Sequence, residues 1–230
     1  MIDFHSHILP AMDDGSKNTE ESLAMLDSLR LQGIKRVVAT PHFYANADSV
    51  DSFLERRRNS FEKIRKEYSD DMPEILLGAE IRYYEGLSKL DRIAELCIQG
   101  SRILLIEMPF ARWTEYALNE IFNLASQGRY MIVLAHIERY MKYQSSDVFE
   151  KLLANDVLMQ VNSDFVTGLF TRRKAVSLFK NEKLHFIGSD CHNMTSRPPE
   201  IAKAYDFLAK KLGLQFLHDL IEYENEMFLL

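Results

Sequence analysis

The sequence predicts an α/β fold of parallel strands curled into a barrel. Three observations carry this. Short apolar runs recur along the 230 residues, and segments with helical spacing separate them. The runs are continuous rather than alternating in polarity, as in strands buried on both faces of a parallel sheet. Strand–helix alternation along the whole chain is the α/β pattern, and about seven strands favour a barrel over an open sheet.

The first strand is Met1–Phe4. Asn18-Thr19-Glu20-Glu21 supplies a helix N-cap and first-turn acids, and opens a helix over Glu20–Gln32 with Leu23, Leu26, Leu29 and Leu31 apolar. Ile34–Ala39 is the second strand. Phe53–Tyr68 is the next helix, with Arg56-Arg57-Arg58 as its wet face. Ile75–Leu77 and Ile103–Ile106 follow as strands, then a helix at Tyr116–Gln127. Met131–Ala135 and Val157–Val161 are strands on either side of a helix at Val148–Ala154. A helix at Lys174–Phe179, a strand at Leu184–Ile187 and a helix at Ile201–Lys211 complete the series. With no repeat, low-complexity segment or long Gly/Ser linker, residues 1–230 are expected to form one domain.

Composition narrows the function classes. Hydrophobic residues make up 47% and charged residues 27%, a soluble globular profile, and the net charge of -6 lacks the basic footprint of a nucleic-acid binder. The two cysteines, Cys97 and Cys191, suggest no disulfide framework and fit a reducing compartment. The first residues form no signal peptide and no apolar run is long enough to span a bilayer. The expectation is a cytoplasmic protein with no direct membrane insertion and no nucleic-acid partner.

The chemistry lies at the strand ends. His5 and His7 follow the first strand, His42 the second, Glu80 the third, Glu107 the fourth, His136 the fifth, and Asp190 and His192 the seventh. In a parallel barrel all these ends open on one face, where distant residues converge. His5-Ser6-His7 and Asp190-Cys191-His192 are i, i+2 pairs, which point the same way on an extended strand. Asp14, placed before Gly15 where a sharp turn is permitted, is the ninth ligand candidate; Asp13 is assigned to support it. His185 and His218 stand away from strand ends and read as structural or surface residues. Four ligands would serve one zinc, so nine imply two or three ions. Imidazoles and carboxylates without thiolate suit Mn, Fe or Zn. Arg139 and Arg197, in loops beside His136 and His192, are candidates for binding phosphate oxygens. Clustered metals and paired arginines point to hydrolysis at phosphorus. The aromatics Tyr83, Tyr84, Phe110 and Trp113 near these motifs read as packing or rim groups.

These residues also carry a resemblance. Asp3-Phe4-His5-Ser6-His7, Asp13-Asp14-Gly15, Gly78-Ala79-Glu80-Ile81, His136-Ile137-Glu138-Arg139-Tyr140, Gln160-Val161-Asn162-Ser163 and Ser189-Asp190-Cys191-His192-Asn193 with Arg197-Pro198-Pro199 resemble the PHP (polymerase and histidinol phosphatase) superfamily. Within it they are most similar to the bacterial capsule-biosynthesis tyrosine phosphatases, from residue 1 to about residue 205. The resemblance implies a distorted (β/α)7 TIM-like barrel and a trinuclear centre, with manganese as first choice and iron, zinc or magnesium as alternatives. It implies metal ligation by His5, His7, Asp14, His42, Glu80, Glu107, His136, Asp190 and His192, phosphate binding by Arg139 and Arg197, and catalysis resting on Arg139, Arg197 and Asp190. The implied substrate is a phosphotyrosine protein: an autophosphorylating bacterial tyrosine kinase that regulates capsular or extracellular polysaccharide synthesis. The expected reaction is in-line attack by a hydroxide bridging the ions, without a covalent phosphoenzyme.

Three rivals stand beside it. One is the same centre serving a small-molecule phosphate such as histidinol phosphate. Another is a non-catalytic regulator that binds phosphoproteins. Cys191 and Arg197 share the spacing of cysteine-dependent tyrosine phosphatases, but Asp190 beside the thiol and the glycine-free loop argue against that mechanism.

Overall fold

A computed structural model describes residues 1–69 and 71–228. The elements run β1 (Ile2–Ser6), α1 (Thr19–Leu31), β2 (Arg36–Ala39), β3 (His42–Phe43), α2 (Val50–Arg65), β4 (Glu74–Leu77), β5 (Glu80–Arg82), β6 (Ile103–Glu107), α3 (Glu115–Ser126), β7 (Met131–Leu134), α4 (Ser146–Leu153), β8 (Leu158–Asn162), α5 (Ser163–Thr167), α6 (Arg172–Lys180), β9 (Phe186–Gly188), α7 (Ala202–Leu212) and α8 (Leu214–Glu226). Every strand pairing is parallel.

The expected second and third strands are each broken once. β2 and β3 are one stave interrupted at Thr40-Pro41, and β4 and β5 are another interrupted at Gly78-Ala79. Pro41 has no N–H for a ladder, which explains the first break. Backbone bonds from Gly78 N to Ala39 O (2.8 Å) and Glu80 N to Pro41 O (3.0 Å) carry the alignment across both gaps. The pairing therefore divides into β1–β2–β4 and β3–β5–β6–β7–β8–β9. β9 returns to β1 through a parallel bridge, Ser6 to Cys191, and through Asp190 N to His5 O at 2.8 Å. At the β4 edge, Gln99 N donates to Leu77 O (2.8 Å) in place of a ladder to β6. The result is a strongly curled parallel sheet of seven staves, the distorted barrel that was expected.

Alternate strand residues fill the interior. Ile2, Phe4, Val38, Ile103, Leu105, Val133, Ala135 and Phe186 form one apolar cluster inside the sheet, with Phe4 and Phe186 stacked at 4.0 Å. Each such aromatic contributes about 1.5–3 kcal/mol by leaving water. The opposite residues, among them Val37, Ile81, Leu104 and Ile132, pack under the helices. Asn18 caps α1 by accepting from Glu21 N, as its sequence predicts. The expectations omitted α5 and α8. Helix α8 sends Phe228 against Phe4, with ring centroids 6.0 Å apart, so it covers the end of the barrel away from the histidines. Desolvation raises buried Glu224 to about 8, and both of its carboxylate oxygens lie 2.9 Å from the Tyr205 hydroxyl. Arg57 corrects another expectation. It is not simply on the wet face of α2, because it donates to the Gly78 carbonyl at 2.6 Å beside the β4–β5 break.

Candidate metal centre

Six of the nine ligand candidates (His5, His7, Glu107, His136, Asp190 and His192) lie at the C-terminal end of a strand or within four residues of it; His42 and Glu80 open β3 and β5 just past the breaks in their staves, and Asp14 lies in the loop between β1 and α1. Their donor atoms fall into three groups, each within 4.8 Å: His7, Asp14, His42 and His192; His5, His7 and Asp190; His42, Glu80 and Glu107. His7 and His42 each belong to two groups, so the groups are contiguous. His136 joins through Nε2, which is 2.9 Å from Glu80 Oε1 and 3.6 Å from Glu107 Oε1. Eight of the nine are largely buried; Asp14 stands at the rim, 67% exposed, with one oxygen 3.4 Å from both His42 Nε2 and His192 Nε2.

The donors fit a cation better than a set of hydrogen bonds. His5 Nε2 and His7 Nε2 face each other at 3.2 Å, and both lie 3.4 Å from Glu80 Oε2. His192 Nε2 is buried without a hydrogen-bond partner, and His42 Nδ1 lies 2.9 Å from Glu80 Oε2 without the geometry of a hydrogen bond. A proton can serve one such contact at a time, and orphaned buried polar atoms are costly. A divalent ion takes several imidazole and carboxylate lone pairs at once.

The ring orientations agree. His7 Nδ1 meets Asp13 Oδ2 at 2.7 Å, His5 Nδ1 meets Gln160 Oε1 at 3.1 Å, and His192 Nδ1 meets the Asp190 carbonyl at 3.0 Å. Each contact holds the proton on Nδ1 and turns the Nε2 lone pair toward the other donors, as supporting groups do for metal-bound histidines. Without a cation, desolvation lowers the His5 pKa, but Glu80 and Asp190 outweigh it and raise it. Desolvation likewise raises Glu80, but His5, His136 and His42 outweigh it and hold Glu80 well below the usual carboxylate range. The protein charges therefore favour positive charge at this centre.

Local backbone departures aim the donors. A register shift in β1 between Asp3 and Ser6 lets Phe4 fill the interior while His5 also faces the centre. The i, i+2 argument for Asp190 and His192 needs correction. Asp190 lies beyond β9 with φ 52, so a left-handed turn brings the pair together, not an extended strand. His136 has φ 32. Left-handed backbone at non-glycine residues is costly and is characteristic of functional sites. Gly15 and Gly188 are required by close approach: a Cβ at Gly15 would lie 2.3 Å from His7 O, and one at Gly188 would lie 2.5 Å from His5 Cβ.

Asp190 faces two ways. Its Oδ1 lies 3.4 Å from His7 Nε2, while its Oδ2 accepts from Arg139 (2.5 Å) and Asn162 Nδ2 (2.9 Å) and meets Arg197 (2.6 Å). Both expected arginines thus flank the metal donors, each half-buried. Phe110, 39% exposed, stands over His136 with centroids 5.8 Å apart, so it is a mouth residue, while Trp113 is buried packing against Tyr140.

Several contributors were given no individual role in the sequence reading, although Asp3, Gln160 and Asn162 lie within its motifs. Arg82 donates to Glu107 Oε2 at 2.5 Å. Gln160 accepts from His136 N (2.7 Å) and passes a hydrogen bond to Asn162 (3.0 Å), linking His5 and His136 to Asp190. Asp3 accepts from Ser189 N at 2.7 Å and is raised to about 6 by burial, which outweighs its hydrogen bonds. Polar residues at buried strand positions, Asp3, Gln160 and Asn162, were the available signal.

Cys191 lies in the apolar core, fully buried, and desolvation followed by the Asp3 charge pushes its thiol well above the usual range. A buried thiol of raised pKa is a poor nucleophile. Cys191→Ser is therefore expected to retain turnover within about threefold, with any loss traced to packing; a drop of about a thousandfold in kcat would restore the cysteine mechanism.

The family model for capsular polysaccharide synthesis, CpsB/CapC, matches residues 1–230. The tyrosine-protein phosphatase CpsB of Streptococcus pneumoniae is 34% identical over 234 residues, covering 93% of this chain and 91% of its own length. The tyrosine-protein phosphatase YwqE of Bacillus subtilis strain 168 is 32% identical over 228 residues, covering 96% and 89%. A chain from the crystal structures of YwqE of Bacillus subtilis and CpsB of Streptococcus pneumoniae, described as metal-dependent tyrosine phosphatases, superposes with a TM-score of 0.83 at 30% identity. That match covers 100% of this chain and 95% of the other.

Proposed function

The chain belongs to the CpsB/CapC family of capsular polysaccharide synthesis proteins, and we propose that it is a metal-dependent protein tyrosine phosphatase. The observation that carries the reading is the convergence of five imidazoles and four carboxylates, partly without hydrogen-bond partners, beside two arginines that share Asp190 Oδ2. We read residues 1–230 as one metallophosphatase domain. His5, His7, Asp14, His42, Glu80, Glu107, His136, Asp190 and His192 hold two or three divalent ions, manganese first. The substrate is a phosphorylated bacterial tyrosine kinase, met in the cytoplasm. No helix among the described residues is long and apolar enough to cross a membrane.

Bound there, such ions supply a water of lowered pKa and neutralise charge on the phosphoryl oxygens. The chain's own residues do the rest. Asp190 holds Arg139 and Arg197 at one edge of the donor cluster, so two guanidiniums are preorganised for phosphoryl oxygens before substrate arrives. Asp13, Gln160 and the Asp190 carbonyl fix the imidazole tautomers. The leaving phenol has a pKa of about 10, so it can depart with less protonation than an alkoxide would need. Phe110, exposed beside His136, offers an aromatic face to the tyrosyl ring.

The test is turnover of a phosphotyrosyl peptide by chelated, manganese-reconstituted protein, beside phosphoserine peptide and histidinol phosphate. Tyrosine-selective turnover is expected. Preference for histidinol phosphate would keep the centre and reject the substrate. Peptide binding without turnover of any of them would favour a binding role.

A further inference from the structure

A shallow groove of about 560 Å³ runs away from the metal centre between the turn after β7 and the α5–α6 turn. Phe110 and Arg139 line its inner end, and Lys142, Lys174 and Phe170 line its outer end. Lys142 and Lys174 are both exposed, and neither makes an ion pair among the described residues; Lys142 Nζ lies instead 4.8 Å from the Tyr143 ring centroid. The groove's one carboxylate, Glu138, is turned inward toward Asn162 N at 3.4 Å. On a chain of net charge -6, this is a local cationic track.

Phe170 is 99% exposed, beside Leu169 at 73%. The turn presenting it is well braced: Gly168 N donates to Asp164 O at 2.8 Å, Arg172 N to Gly168 O at 2.9 Å, and Thr171 Oγ1 to Phe165 O at 2.6 Å. The brace holds Phe170 and Leu169 together in water, where they offer an apolar contact at the groove's outer end. Arg139 lines the groove and also pairs with Asp190 at the donor cluster, so a segment lying in the groove can be continuous with a group held at that centre.

We propose that this groove binds the segment flanking the phosphotyrosine, and that it selects acidic residues beside Lys142 and Lys174 and an apolar residue against Phe170. The proposal rests on the phosphatase reading and names its preferred sequence context. Opposed charge along a track favours encounter and register, and an aromatic anchor adds contact area.

The experiment compares steady-state kinetics on free phosphotyrosine, a phosphotyrosyl peptide with Glu and Leu flanks, and the same peptide with Lys flanks. The metal-loaded protein is expected to favour the acidic peptide. Lys142→Glu/Lys174→Glu is expected to lose about tenfold in kcat/KM on it, through KM, and Phe170→Ala several-fold. Both variants keep free phosphotyrosine turnover, which also reports folding. Unchanged peptide kinetics with free phosphotyrosine still hydrolysed would overturn the groove and leave the phosphatase intact. The same overturning follows if the variants instead lose binding to anionic phospholipid vesicles with peptide kinetics unchanged. Failure of the parent protein to turn over either substrate would sink the phosphatase reading, and the groove with it.

Discussion

Glu80→Gln is expected to lower phosphotyrosine turnover by about a thousandfold, equivalent to several kcal/mol of lost transition-state stabilisation. Glu80 is the hub of the centre, within 3.4 Å of His5, His7, His42 and His136. An amide keeps the shape but loses the charge and puts N–H groups among donors that need a cation. Bound metal should fall with activity. The metal-free protein gives a second readout. A depressed Glu80 contributes stability present above its unfolded pKa of 4.5 and lost as pH falls through the lower folded value. Raised His5 and His7 contribute stability present below their unfolded 6.5 and lost as pH rises through their folded values. Both contributions are complete only between pH 4.5 and 6.5. Thermal melts of the apo proteins should therefore differ most in that window. Equal melting of parent and variant there would contradict the charge arrangement.

Arg139→Lys and Arg197→Lys are each expected to reduce kcat by about a hundredfold while bound metal stays unchanged. Lysine keeps the positive charge but loses the planar fork that fits a phosphoryl group. Both guanidiniums meet the same oxygen, Asp190 Oδ2. Removing one disturbs the anchor of the other, so the double variant should lose less than the product of the single losses. Kinetics of the four proteins in a double-mutant cycle check this. Fully multiplicative losses would show that the two act independently, and loss of metal in either single variant would move that arginine from phosphate to the ion site.

The sequence made the staves and the convergence of the donor residues legible for one reason: all of them but Asp14 follow an apolar run, and a parallel curled sheet sends such ends to one face. It did not reveal how the donors are aimed. The β1 register shift that lets Phe4 and His5 share the interior has no local signature. The positive φ at His136 and Asp190 occurs at residues that give no glycine signal. Gln160 and Asn162 read as a motif, but their hydrogen-bonded line to His5, His136 and Asp190 depends on pairing between distant strands. Arg57 looked like one member of a solvated triplet until the β4–β5 break supplied the Gly78 carbonyl. Helix α8 had readable spacing at Phe216, Leu217, Leu220 and Ile221, yet its place against Phe4 is a tertiary fact.

Metal ions counted alongside turnover report whether the donor cluster is the reaction centre. Elemental analysis by mass spectrometry would be run on the parent protein before chelation, after chelation and after reconstitution with manganese, each sample assayed on a phosphotyrosyl peptide. Two or three ions per chain are expected across the three donor groups, with activity lost and regained in step with them. Undiminished turnover by protein carrying less than one ion per chain would contradict it.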